Sequence, residues 1–82
     1  MPDITTAQRV GRNVKARRLA LRAMHGGWTQ TECATMAGCS QGTWADYEAG
    51  ARHVTITVDV VERLASILQC SAGDLLKGAS NE

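Results

Sequence analysis

Three cysteines, two histidines and eight carboxylates are the side chains of this 82-residue chain that could hold a metal or attack a substrate. Their spacing supports neither chemistry. Cys33, Cys39 and Cys70 are odd in number and form no Cys-x-x-Cys pair, so they frame no zinc site and no closed disulfide set. They read as small buried hydrophobes in a reducing compartment. His25 and His53 fall in predicted loops, with no cluster of Asp, Glu or Cys beside them to build an acid–base or metal site. His25-Gly26-Gly27 follows no strand and reads as a helix stop, not a phosphate-cradling loop. The expectation is a protein that is no enzyme, with no metal, no cofactor and no small-molecule ligand. What is left is the chemistry of charge. Residues 1–28 carry six basic side chains (Arg9, Arg12, Lys15, Arg17, Arg18, Arg22) against the single acid Asp3, and residues 29–82 carry three basic and seven acidic ones. The two parts come to +5 and −4, which suggests a positive end that meets phosphate and an acidic end that faces elsewhere. Charge alone is equally compatible with a solvated basic helix.

The element that must position any such contact is the stretch Gln30 to Tyr47, QTECATMAGCSQGTWADY. It reads as two short helices joined by a tight turn. Ala34 lies in the first helix, where a side chain larger than methyl would hold the pair apart. Gly38 can adopt the positive φ that lets the chain reverse within three or four residues. Ser40 then caps the second helix. Cys33, Ala37, Trp44 and Tyr47 supply the apolar faces that lock the two together. This is the pattern of a helix-turn-helix that reads DNA.

Around it the chain predicts three further helices. The first starts near Thr6, which can cap it, and runs at least to Leu21, with Ala7, Val10, Val14 and Leu21 in one buried stripe flanked by Arg17 and Arg18. Ala23 and Met24 can add a turn before Gly26-Gly27 stop it. Thr29 with Glu32 makes a capping box for the second helix, which runs to about Ala37. The third spans roughly Gln41 to Glu48 and stops at Gly50. The run VTITVDV (54–60) has strand-like alternation, but no second strand exists to pair with it, so it is read as loop entering a fourth helix near Thr57. Val60, Val61, Leu64, Ile67 and Leu68 form that helix's core face. Ser71 to Asp74 is another capping box, opening a short fifth helix with Leu75 and Leu76; Lys77 and Gly78 end it. The expected fold is all-α, a compact five-helix bundle forming a single domain over residues 1–82, with a core of about 6–78 and a frayed tail at 79–82. A chain of this size buries only roughly 60% of its unfolded surface, so its stability should be marginal. No window approaches the ~20 apolar residues of a membrane span. The segment MPDITTAQ has no basic-then-apolar signal pattern, so a cytoplasmic location is expected.

In order along the chain, NVKARRLAL (13–21), TQTECA (29–34), the Gly38-Cys39-Ser40 turn, Tyr47-Glu48-x-Gly50 and RLASILQCSAGDLLKG (63–78) resemble the helix-turn-helix domain of lambdoid phage repressors and Cro proteins, the XRE class. The resemblance covers about Arg9 to Gly78. It implies that the third helix enters the major groove by its start, where Gln41, Gly42 and Thr43 lie, with Asp46 one turn further on. Gln41 is the best base reader of these, because a Gln amide can pair bidentately with adenine. Gly42 would allow close backbone approach. The resemblance also implies phosphate contacts near Gln30, Thr29, Ser40 and Lys15, and from Arg52 and His53 in the loop after the third helix. Arg18 and Glu48 fall where many members pair the first helix with the end of the third. Ala34, Gly38, Trp44 and Tyr47 complete the structural motif. Three departures stand out: about five extra residues around Arg22 to Gly26, a longer loop after Gly50, and Trp44 where a branched aliphatic is usual. Trp44 is expected to fill the core, its volume accommodated by Ala34, Ala37 and Ala45.

The function so implied is a sequence-specific regulator of transcription, foremost a repressor that occupies a double-stranded DNA operator. One module reads few base pairs, so a homodimer on a palindrome with half-sites about 34 Å apart is expected. Val54, Ile56, Val58 and Leu76 are candidate dimer contacts. Two alternatives stay open: an antitoxin-like module that sequesters a toxin, and a controller that also activates by touching RNA polymerase through an acidic patch (Asp46, Glu48 or Glu62).

Overall fold

In the computed structural model, residues 5–51 and 54–77 are described. They form α1 (Thr6–His25), α2 (Gln30–Ala37), α3 (Gln41–Ala49), α4 (Val58–Ile67) and α5 (Ala72–Leu76). The architecture is all-helical, and no strand occurs among the described residues, so 54–57 enter α4 as irregular chain. The expected Arg52 and His53 contacts and the tail from Gly78 onward lie outside the described residues.

Every helix opens on a hydroxyl. Thr5, Thr29, Ser40, Thr57 and Ser71 each accept a bond from the backbone N–H three residues later, satisfying one of the donors a helix start leaves unpaired. The α1 cap sits one residue earlier than the sequence suggests, at Thr5 rather than Thr6. The reason is Gln8, whose side-chain oxygen accepts from the Thr5 N–H at 2.9 Å and completes a reciprocal box. At its other end α1 takes in Arg22 to His25 as a further helical turn, so the extra residues of this chain lengthen a helix and not a loop. Gly26, Gly27 and Trp28 then turn the chain with φ values of 73°, 64° and 56°. Two α1 arginines hold that reversal: Arg22 donates to the Gly27 carbonyl at 2.8 Å and Arg18 to the Trp28 carbonyl at 3.2 Å.

The core gathers Val10, Val14 and Leu21 of α1, Cys33 and Ala34 of α2, Trp44 of α3, Val61, Leu64 and Ala65 of α4, then Leu68 and Leu75. Trp44 is fully enclosed and is the largest of them. Ala7, expected in the stripe, is only half-buried. Polar side chains of α1 close the far side. Asn13 donates to the carbonyls of Leu75 and Lys77, both at 2.8 Å, and Arg17 to those of Leu68 and Gln69 at 2.9 and 3.0 Å. These bonds satisfy carbonyls that the ends of α4 and α5 leave open.

The close approach that orients α3 lies at Gly11. A Cβ placed there would fall 2.5 Å from the Tyr47 carbonyl oxygen and 2.6 Å from that of Glu48. Gly50 repeats the theme: with φ +65° it ends α3, and a Cβ there would lie 2.7 Å from Gln8 Cα. The C-terminal half of α3 therefore rests on the α1 backbone with no side chain between. No helix among the described residues is long and apolar enough to cross a membrane.

Candidate nucleic-acid interface

Gln41 is the first residue of α3 and is exposed, but its amide is not loose. Its Nε2 donates to Gln30 Oε1 at 2.6 Å, and Gln30 Nε2 donates in turn to Glu48 Oε1 at 2.9 Å. Glu48, near the end of α3, is buried. Its Oε2 accepts from Arg18 Nε at 2.5 Å and from the Trp44 indole N–H at 2.7 Å, while Oε1 also accepts from Arg18 Nη2 at 3.2 Å. Burial pushes the Glu48 carboxyl up, but the bonds from Arg18, Gln30 and Trp44 outweigh it and hold the group below the usual glutamate range. The ionised form is thus the resident one. A forked guanidinium against both carboxylate oxygens is the strongest pairing these side chains can make. The expected Arg18–Glu48 pair is present and buried, and it joins α1, α3 and α2 through one carboxylate.

The remaining predicted residues cluster around the start of α3 with uneven freedom. Ser40 Oγ accepts the Thr43 N–H at 3.1 Å and shares a hydroxyl bond with Thr43 Oγ1 at 3.0 Å, so both hydroxyls already have a partner within the cap. Gly42 is exposed, and a Cβ built on it meets nothing nearer than Ser40 Oγ at 3.9 Å. Asp46 is half-buried one turn on, and its backbone carbonyl accepts from the Gly50 and Ala51 N–H groups. Thr29 holds the α2 cap with Glu32, each accepting from the other's backbone N–H. Lys15 is exposed one turn after Gly11, on the flank of α1 that faces α3. Gly38 takes the left-handed φ of 74° expected of the turn, Ala34 is buried, and Tyr47 packs half-buried against the core.

The charge reading needs correction. Arg17, Arg18 and Arg22 all hydrogen-bond inside the fold, so half of the six basic residues of 1–28 serve the structure. Of the four candidate dimer residues, Ile56 is drawn against the core and Val54 is half-buried, whereas Val58 and Leu76 stay exposed. Sequence reasoning missed the Trp44 bond to Glu48, although a donor four residues before a carboxylate on one helix is a readable signal. It missed Gly11 and the Asn13 and Arg17 capping bonds because each depends on an element distant in the chain. All three cysteines are free, and burial pushes each thiol up. Among the described residues no three of His, Cys, Asp and Glu gather as metal ligands would.

No curated protein and no solved structure matches the chain. The family model described as "Helix-turn-helix domain" does match, over residues 9–77, which takes in all of α2 to α5 and most of α1. With the two crossing helices, the left-handed glycine between them and the capped third helix in place, the chain belongs to the helix-turn-helix domain family.

Proposed function

We propose that this helix-turn-helix protein is a sequence-specific regulator of transcription of the lambdoid repressor and Cro type. It acts in the cytoplasm as a repressor, binding a palindromic double-stranded operator as a homodimer with α3 in the major groove. The observation that carries this reading is the state of Gln41. An exposed amide at the start of a helix is oriented by a chain of bonds rooted in a buried ion pair, the preorganisation a base-reading side chain needs. Gln41, Gly42, Thr43 and Asp46 face base edges, and Gly42 fits because the fold itself leaves the space beside it open. Gln30, Thr29, Ser40 and Lys15 meet phosphates and set the register. Val58, 73% exposed, and Leu76, 44% exposed, supply apolar surface for the second copy.

The experiment is selection of bound sequences from a random duplex pool at near-physiological salt. Recovery of a palindromic motif with half-sites about one DNA turn apart supports the proposal. Failure to enrich any sequence, or enrichment that vanishes as salt rises, refutes it and leaves only generic attraction to the backbone.

A further inference from the structure

The geometry points to Glu48, buried where α1, α2 and α3 meet, as a residue that sets which base Gln41 accepts. This rests on the reading of α3 as the base-contacting helix. An ionised carboxylate only accepts hydrogen bonds, and the Arg18 guanidinium against both oxygens keeps Glu48 ionised. Only the NH2 end of the Gln30 amide can therefore face Glu48 Oε1, at 2.9 Å. That turns the Gln30 carbonyl oxygen toward Gln41. A carbonyl also only accepts, so Gln41 must give it one of its two N–H groups, at 2.6 Å. Amide ends are ordinarily ambiguous, but a carboxylate at the root of the chain removes the ambiguity from both glutamines.

Gln41 is left with one N–H and its carbonyl oxygen. Adenine offers one acceptor (N7) and one donor (N6) in the major groove, the complement of that pair. Guanine offers two acceptors, O6 and N7. To satisfy both, Gln41 would have to withdraw its N–H from Gln30 and strand an amide oxygen. The preference for adenine is thus written into the direction of the relay. Glu48→Gln reverses that direction. The two shortest bonds at Glu48 go to Oε2, from Arg18 Nε and Trp44, so the new amide keeps its oxygen there, gives up the longer 3.2 Å bond from Arg18 Nη2 and turns its NH2 to Gln30. Gln30 then turns over, gives an N–H to the Gln41 oxygen, and leaves Gln41 with both N–H groups outward, the guanine pattern.

The test begins with the motif that wild type selects from random duplexes and the base pair that Gln41→Ala relaxes. Two duplexes differing only there, A or G on the contacted strand, then compete for wild type, Gln30→Met and Glu48→Gln, with folding followed by circular dichroism. Wild type should favour A by about tenfold or more, within the range of a good bidentate pair. Gln30→Met, which cuts the relay and leaves the ion pair intact, should bring the ratio to within about threefold, and Glu48→Gln should favour G. If Glu48→Gln does not fold, Gln30→Met decides alone. Wild-type preference for G, a motif that Gln41→Ala leaves unchanged, undiminished adenine preference in Gln30→Met, or adenine preference kept by a folded Glu48→Gln overturns the inference while DNA reading stands. No enriched motif at all overturns the function and this inference together.

Discussion

Gly11 and Gly42 are both helical glycines, and replacing each with alanine should move stability in opposite directions. At an unstrained helical position Gly→Ala is favourable by about 0.5–1 kcal/mol, because glycine loses more backbone freedom on folding. At Gly11 that gain meets a collision: the new methyl would sit 2.5 and 2.6 Å from two α3 carbonyl oxygens. Recovering even a 3.0 Å separation from the nearer oxygen moves one backbone by half an ångström. Backbone cannot yield as the tip of a flexible side chain does, so the strain of overpacking, about 1–3 kcal/mol, exceeds the propensity gain. The net loss is about 1–2 kcal/mol, a Tm decrease of roughly 5–15 °C for a domain of this size. Gly42→Ala meets open space and should raise stability by about 0.5 kcal/mol, the second position of a helix gaining less than its middle. Thermal and urea unfolding followed by far-ultraviolet circular dichroism gives both numbers. A Gly11→Ala protein as stable as wild type would refute the close α1–α3 packing. If Gly42 faces DNA, its alanine variant should also bind the selected duplex more weakly while melting higher, a combination no folding defect produces.

Arg18→Met leaves the Glu48 carboxylate buried with neutral donors only and should cost about 3–5 kcal/mol, while Arg18→Met with Glu48→Gln recovers part of it; urea titrations of the two proteins decide. Because Glu48 is held below its ordinary range in the folded state, the stability it contributes is complete above about pH 5 and is lost as pH falls through its folded value. The urea midpoint of wild type should therefore drop steeply on the acid side, and a flat profile between pH 6 and pH 3 would contradict the network. Asp74, held low first by the Ser71 backbone N–H and then by Lys77, acts in the same direction. Cys33, fully buried with its thiol pushed up, should react with a thiol reagent at neutral pH only as fast as the domain unfolds; mass spectrometry of labelled peptides would show this.

Local patterns account for what was legible before the structure. A hydroxyl residue followed three places later by Glu or Asp marks a helix start through bonds that span one turn, which is why Thr29 and Ser71 were readable, while the cap of α1, completed by a Gln, was placed one residue late. Gly38 and Gly50 were readable because a left-handed φ is a property of one residue. The burial of Trp44 was readable from its place, with Cys33, Ala37 and Tyr47, among the apolar side chains that lock the two crossing helices, where the resembling family carries a branched aliphatic.

The long-range interactions required the fold. Asn13 and Arg17 finish helices that lie more than fifty residues later in the chain, and three arginines that raise the charge of the first 28 residues turn out to hydrogen-bond within the fold, Arg18 in its interior. Gly11 has no local reason to be glycine; only the carbonyls of Tyr47 and Glu48 supply one. The candidate site divides the same way. Sequence by itself determined that Gln41 starts a helix after a tight turn, because caps and glycines act within a few residues. Only tertiary structure decided which way its amide faces, because that direction is passed from Arg18 to Glu48 to Gln30 across three helices.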